Sequence, residues 1–312
     1  MPDRIDAFVR DLEQIPAVIQ RAIEPGWMTD AVNIATARHY RRVLLAGLGS
    51  SRFAAMIAED LFHGSTANVV VQPANVDRQP SAGKDLLTIA ISASGRTPEV
   101  IEQANRNRAS GRVIAITRDA ASPLAQVGHA IAVLPVAAES SGVACTSFVA
   151  TVVALLQLGM ALPVPHGTTK VPEAIGQGAR LVADATRDLL ATRDAWLPPA
   201  LDALDGVEDI AVLAPWSQRG AAEQAALHLR ECPRRSAAAY ETADWLHIGI
   251  YTALPGTAVL LFEGSPSDAE VERVVGDRGA RLIRVPGSEA ISRSTAASLL
   301  AAELWRGVAE RV

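Results

Sequence analysis

Residues 86 to 102, LLTIAISASGRTPEVIE, constrain the fold more than any other stretch. Leu86 to Ile91 is an unbroken apolar, largely branched run, the pattern of a strand buried on both faces of a parallel sheet. It empties into Ser92-Ala93-Ser94-Gly95-Arg96-Thr97. A helix is predicted to start there, with Thr97 as N-cap, Pro98 at the first helical position and Glu99 in the first turn. Such a junction aims free N–H groups, hydroxyls and the positive end of a helix dipole at one point, which favours a phosphate dianion. The plainer alternative is an ordinary βα turn, because Ser and Gly are common turn residues.

The alternation extends along the first half. Strands are predicted at 42–47, 68–72, 86–92, 112–117 and 130–135, and helices at 52–62, 98–108, 122–127 and 146–161. Amphipathic helices at 4–23 and 28–41 precede them. Alternating strand and helix units imply an α/β fold: a parallel sheet with helices on both faces. Pro163-Val164-Pro165-His166-Gly167 breaks the pattern and reads as a linker, with a helix expected over about 171–194.

Beyond the linker the first half repeats. Residues 43–55 (VLLAGLGSSRFAA) align with 211–223 (AVLAPWSQRGAAE), 87–102 with 258–273, and 112–117 with 281–286, at an offset of roughly 170 residues. Three matches in order point to a tandem duplication. We therefore expect two domains with flavodoxin-like sheets, 1–165 with the N-terminal helices and 166–312 with a linker helix. The second copy has lost the hydroxyl loop, since Ser92-Ala93-Ser94-Gly95 becomes Glu263-Gly264-Ser265-Pro266.

Composition narrows the partners. Of 312 residues, 49% are hydrophobic and 4% aromatic, and the net charge is −5, which argues against nucleic acid or an anionic membrane surface. The longest apolar run, Phe148 to Leu162, is interrupted by Gln157 and Gly159 and falls short of a membrane span. The charged N-terminus, MPDRIDAFVRDLEQ, does not read as a secretory signal, so the cytoplasm is the expected compartment. Cys145 and Cys232 lie far apart and outside any metal-binding spacing, and neither a metal nor a cofactor is expected.

Two further loops belong to the same reading. Val43 to Gly47 leads into Gly49-Ser50-Ser51 and a helix, and in a flavodoxin-like order this turn would meet the Ser92–Thr97 loop at the switch point where ligands bind. The fifth strand delivers Glu139 to Thr146 to the same edge. The alternative is that each loop merely caps a helix. In the second half, Gln224, His228 and Glu231 fall on one face of an Ala/Leu helix over 219–231, a polar stripe that faces either water or a site.

Together these loops resemble the sugar isomerase (SIS) family, and within it the isomerase part of glucosamine-6-phosphate synthases, over nearly the whole chain. The family's GTS-like, SxSGxT and EIGVAST-like loops are matched by Gly49-Ser50-Ser51, by Ser92 to Thr97, and by Gly142-Val143-Ala144-Cys145-Thr146. The resemblance implies two tandem SIS domains. Ser50, Ser51, Ser92, Ser94, Gly95 and Thr97 would hold the sugar phosphate, and Val143 and Cys145 would line the sugar. It makes Glu231 the base that moves a proton between C1 and C2, with Gln224 and His228 where the family has a glutamate and a lysine. AYETADWLHIG (239–249) resembles the family's AYAAGELKHGP, so His247 matches a ring-opening histidine that reaches the neighbouring subunit's site, which implies a homodimer.

The departures matter. The synthase's glutaminase domain and its C-terminal lysine tail are not matched, and the only lysines are Lys84 and Lys170. Neither glutamine-dependent amination nor a Schiff base to a protein lysine is expected. What remains is a general base, a proton shuttle and a phosphate anchor, which suits isomerisation of a sugar 6-phosphate, amino sugars included. Deglycation or deamination, β-elimination, and a non-catalytic phosphosugar sensor are the alternatives.

Overall fold

The computed structural model describes residues 2–24, 26–63, 68–76, 80–81, 83–163, 172–207 and 209–309. In chain order its elements are α1 (Pro2–Glu13), α2 (Ile15–Ile23), α3 (Thr29–Thr36), β1 (Arg42–Gly47), α4 (Ser50–His63), β2 (Asn68–Pro73), β3 (Leu86–Ile91) and α5 (Pro98–Arg108). There follow β4 (Arg112–Thr117), α6 (Pro123–Val127), β5 (Ala130–Val133), α7 (Thr146–Ala161), α8 (Pro172–Ala191) and α9 (Arg193–Leu204). The second sheet region holds β6 (Asp209–Ala214), α10 (Arg219–Glu231), β7 (Ser236–Glu241), α11 (Thr242–Ile248), β8 (Thr257–Leu261), α12 (Asp268–Asp277), β9 (Arg281–Arg284) and α13 (Ala290–Ala309).

The strands form two parallel sheets, one in the order β2-β1-β3-β4-β5 and one in the order β7-β6-β8-β9. The second order is the first without its fifth strand, as the internal repeat predicts. In the first sheet every residue of β3 is buried, which explains its unbroken apolar run. Ala90, Val113 and Ala115 pack under Val100 and Ala104 of α5 and Leu124 of α6. α4 lies on the opposite face, where it packs on β1, β2 and α7. In the second sheet Leu213, Val259 and Leu261 pack under Trp245 of α11 and Val271 and Val275 of α12, while α10 lies on the other face against α13.

The chain divides into two units. The first sheet's unit comprises residues 17–138 and 144–181; the other holds 1–16, 139–143 and 182–312. The sequence boundary at 165/166 separates the two sheets, yet α1 and Glu139–Val143 fall with the second. Asp11 of α1 accepts from Ser140 Oγ (3.0 Å), Ser141 N (3.0 Å) and Ser141 Oγ (2.8 Å), and Arg4 Nε donates to Ser141 O at 2.7 Å.

Three helix predictions need correction. The helix expected over 28–41 spans only Thr29–Thr36. The single helix over 4–23 breaks into α1 and α2 because Pro16 has no N–H to donate and its ring crowds the carbonyl of Leu12. The helix expected to end near 194 ends at Ala191, and α9 follows despite Pro198 and Pro199 inside it. Burial of Leu197, Ala200 and Leu204 along one stripe offsets the two missing backbone donors. The predicted linker from residue 164 onward, the start of the helix after it and Lys170 lie outside the described residues.

Candidate functional site

β1 and β3 are in-register neighbours, Ala46 opposite Ala90, so the turns that follow them leave the same sheet edge side by side. At the first turn Gly49 takes a left-handed φ of 51°, and α4 begins with half-buried Ser50 and Ser51. At the second, Ser92 is buried at 3% exposure, Thr97 is half-buried and Ser94 is exposed.

Thr97 stands at the N-cap position of α5 in extended backbone, but its hydroxyl makes no cap bond. It lies 2.8 Å from Ser92 Oγ instead, and Ser92 Oγ lies 3.5 Å from Ser94 Oγ. The predicted N-cap is therefore a cap in backbone only. The first-turn N–H groups of an α-helix have no intrahelical acceptor, and three hydroxyls gather beside them. An anion is the complement of that arrangement.

The loop is buttressed from behind. Gly95 has φ 66°, and its N–H donates to Ser92 O at 2.9 Å. Leu124 N donates to Gly95 O (3.0 Å), and Arg118 N and Thr117 Oγ1 donate to Ala93 O (3.0 and 3.3 Å). Sequence reading missed this support, although Ser122-Pro123 is a helix-start signal: Ser122 Oγ caps α6 through Ala125 N.

Cys145 is buried at the N-cap of α7 in the same unit. Val143 belongs to the other unit, fully buried, its N–H donating to Ser141 Oγ at 3.1 Å. Lys84 is exposed just ahead of β3, at the edge away from the hydroxyl loop.

In the second-sheet unit the polar stripe on α10 splits. Gln224 and His228 are buried and face α13 and α1 rather than water. Ser298 Oγ donates to Ser294 O at 2.6 Å, so it accepts from His228 Nδ1–H at 2.7 Å, leaving His228 Nε2 to accept from Gln224 Nε2 at 2.7 Å. Phe8 meets the imidazole edge-on at 5.2 Å. Glu231, in the last turn, is the exposed member. Partial burial raises its carboxyl above the ordinary value, offset in part by the Arg4 guanidinium. The negative end of the α10 dipole acts in the same direction as burial. Burial and the charge of Glu231 push the Cys232 thiol up to about 12, so it is not a thiolate nucleophile.

His247 is exposed on α11. The second sheet stands between it and α10, so one chain does not bring Glu231 and His247 together.

The second sheet's own ligand edge is filled by the protein. Arg293, 7% exposed, donates to Gln218 Oε1 (3.1 Å), Gly287 O (2.9 Å) and Glu263 O, acceptors that follow β6, β9 and β8. Asp268 Oδ2 accepts from Gly264 N (2.6 Å) and Ser265 N (3.1 Å), the loop that replaces the hydroxyl cluster. A carboxylate of the protein thus takes backbone donors of this loop. The lone arginine in the Ala/Ser-rich start of α13 was the available sequence signal. Among the described residues no three His, Cys, Asp or Glu side chains gather as a metal site, and no helix is long and apolar enough to cross a membrane.

Residues 38–161 match the family model of the SIS domain. No curated protein sequence matches the chain. Solved structures do. The C-terminal domain of glucosamine-fructose-6-phosphate aminotransferase from Francisella tularensis superposes over 97% of this chain and 95% of its own, with TM-score 0.76 and 14% identity. Tagatose-6-phosphate ketose/aldose isomerase from Escherichia coli gives 95% and 92%, TM-score 0.72 and 18% identity. Glucosamine-6-phosphate deaminase from Thermotoga maritima gives 96% and 94%, TM-score 0.67 and 18% identity. At such identities the likeness is one of fold.

Proposed function

With residues 38–161 a SIS domain, we propose that the protein holds a sugar 6-phosphate by its phosphate at the Ser92–Thr97 loop and interconverts its aldose and ketose forms. The observation that carries this reading is the cluster of Ser92, Ser94 and Thr97 hydroxyls at the start of α5, with Thr97 turned from the helix cap to Ser92. Ser50, Ser51 and Gly95 complete the anchor, and Cys145 of the same unit is assigned to the sugar. The names of the three solved structures all include a hexose or hexosamine 6-phosphate, which supports the substrate class.

In the proposed chemistry His247 assists opening of the sugar ring. Glu231 then takes the C2 proton of the aldose and the electron pair passes through the enediolate to O1; the O2 proton moves to O1 as Glu231, its proton partly exchanged with solvent, protonates C1 to give the ketose. Partial burial raises the proton affinity of Glu231 above that of a free glutamate, the direction that favours a group that takes a proton and gives it back. Deamination, deglycation and elimination begin with the same base. Incubation with a panel of hexose and hexosamine 6-phosphates in D₂O, read by NMR, separates them. Deuterium at C1 or C2 supports isomerisation; released amine or an alkene replaces it with one of the others.

The sensor reading has one observation in its favour: within one chain Glu231 and His247 lie on helices covering opposite faces of the second sheet. Saturable binding without exchange by any substrate would select it.

Removing hydroxyls tests the anchor. Ser94→Ala with Thr97→Ala deletes two donors to a charged acceptor, each worth ~1.5–3 kcal/mol. Calorimetry should find sugar 6-phosphate affinity at least about tenfold weaker, with the melting transition intact; unchanged affinity would mean the phosphate binds elsewhere.

A second copy of the chain would complete the acid–base pair. His247 is flanked by Ile248, Tyr251 and Leu254, which are 58%, 69% and 52% exposed and suit a two-fold contact. Sedimentation should show a dimer, and Tyr251→Glu with Leu254→Glu a monomer that binds sugar phosphate without turning it over. A monomeric wild type with full turnover would remove His247 from a partner's site.

A further inference from the structure

The first-sheet unit contains a second place for a ligand. Helices α2, α3 and α7, with Gly176 of α8, line an open cavity of ≈ 510 Å³ whose lining includes Ile23, Met28, Val32, Gln157, Met160 and Ala161. That volume is in the range of small-molecule sites. α7 leaves the ligand edge of the sheet at Thr146, and Gln157 lies roughly 16 Å further along the helix, at 1.5 Å per residue. The cavity is therefore separate from the phosphate anchor.

Its chemistry is also different. Glu24 is the one charged group among the described lining residues, which disfavours an anion such as a sugar phosphate. Gln157 anchors one end of its amide by donating from Nε2 to Ala22 O at 3.1 Å. Its Oε1 is buried and accepts from no donor among the described residues. A buried acceptor in that state is costly unless a donor arrives. The terminal amide torsion of Gln is soft, so Oε1 can turn toward a donor entering the cavity; Nε2 then leaves Ala22 O, which keeps its bond from Trp27 Nε1 at 3.0 Å. The thioethers of Met28 and Met160 adapt to flat ring edges.

We propose that this cavity binds a neutral, largely apolar molecule of one or two rings carrying a single N–H or O–H donor for Gln157. The proposal is independent of the sugar phosphate reading.

Indole and 1-methylindole are matched probes: similar in shape, with and without the donor. Calorimetry on the full chain should show saturable indole binding and at least fivefold weaker binding of 1-methylindole. Gln157→Met should erase that difference while leaving sugar 6-phosphate affinity unchanged. Val32→Trp, which fills the cavity, should abolish binding of both probes, with a cooperative melting transition as the check on folding. The proposal is overturned if wild type shows no saturable indole binding, or binds both probes equally. A folded Val32→Trp that binds like wild type overturns it as well. The two-probe comparison on wild type needs no variant, so it decides the matter even if a substitution fails to fold.

Discussion

Replacing Glu231 with Gln is expected to lower turnover of any active sugar 6-phosphate by ~10²–10⁴-fold, the usual cost of losing a general base. The substitution keeps the shape and hydrogen-bonding capacity of the side chain, so ligand affinity should persist. Solvent deuterium should no longer wash into C1 or C2. The pH dependence carries its own signature. Glu231 works as a base only when ionised, and burial raises its pKa. Activity should therefore fall, as pH drops, through an inflection higher than that of a freely solvated glutamate. Stability gives the opposite sign to a structural role. A carboxyl that holds its proton more tightly folded than unfolded contributes stability below its unfolded value, and loses it as pH rises through the folded value. At neutral pH the Gln variant should melt no lower than wild type. A structural Glu231 predicts a lower melting temperature with chemistry retained, and wild-type turnover in the variant would mean another base operates.

The fold was legible because its strongest signals are local. β3 and β4 read as buried strands from their apolar runs, and the hydroxyl loop followed from strand-then-helix punctuation. The repeat then placed β6, β8 and β9 before any of them was seen. What failed depended on tertiary compensation: α9 carries two prolines that a local reading cannot forgive, and its buried stripe is what offsets them. The candidate site divides the same way. The Ser92–Thr97 loop was visible as a motif, but the hydroxyl of Thr97 could cap its helix or turn to Ser92, and only packing chooses. The stripe on α10 offered two outcomes, water or a site, and the structure turns Gln224 and His228 from water onto Ser298 and Phe8, which come from distant segments. Asp11 and Arg4 hold the Glu139–Val143 segment from well over a hundred positions away, and no periodicity announces that. Asp268 was part of the degenerate second loop, yet its use of that loop's N–H groups needs the backbone path to be known.

Gly95→Ala should be the most damaging single change in the phosphate anchor. Gly95 sits at φ 66°, where an L side chain costs roughly 1–2 kcal/mol. A Cβ there would also stand 2.8 Å from Thr117 Oγ1 and well inside contact distance of the Ser122 side chain. Ser122 is fully buried and caps α6, so it has nowhere to retreat without giving up its bond from Ala125 N. Overpacking of this kind costs typically ~1–3 kcal/mol, giving a combined loss of roughly 2–5 kcal/mol. The strain falls on the same loop that gathers the Ser92, Ser94 and Thr97 hydroxyls, so phosphate binding should be lost beyond the tenfold expected from trimming two of them. The steric and backbone parts are separable. Ser122→Gly removes the clash with Ser122 but also the cap, at about 1 kcal/mol. Added to Gly95→Ala, it should restore part of the stability, leaving the positive-φ cost and the 2.8 Å approach to Thr117 Oγ1 in place. Thermal melts of the two singles and the double should therefore show strong favourable coupling, as expected for residues in contact. If the two changes simply add, Ser122 is not what fills the space beside Gly95. If Gly95→Ala binds sugar 6-phosphate like wild type, the loop does not need this backbone conformation to hold the anion.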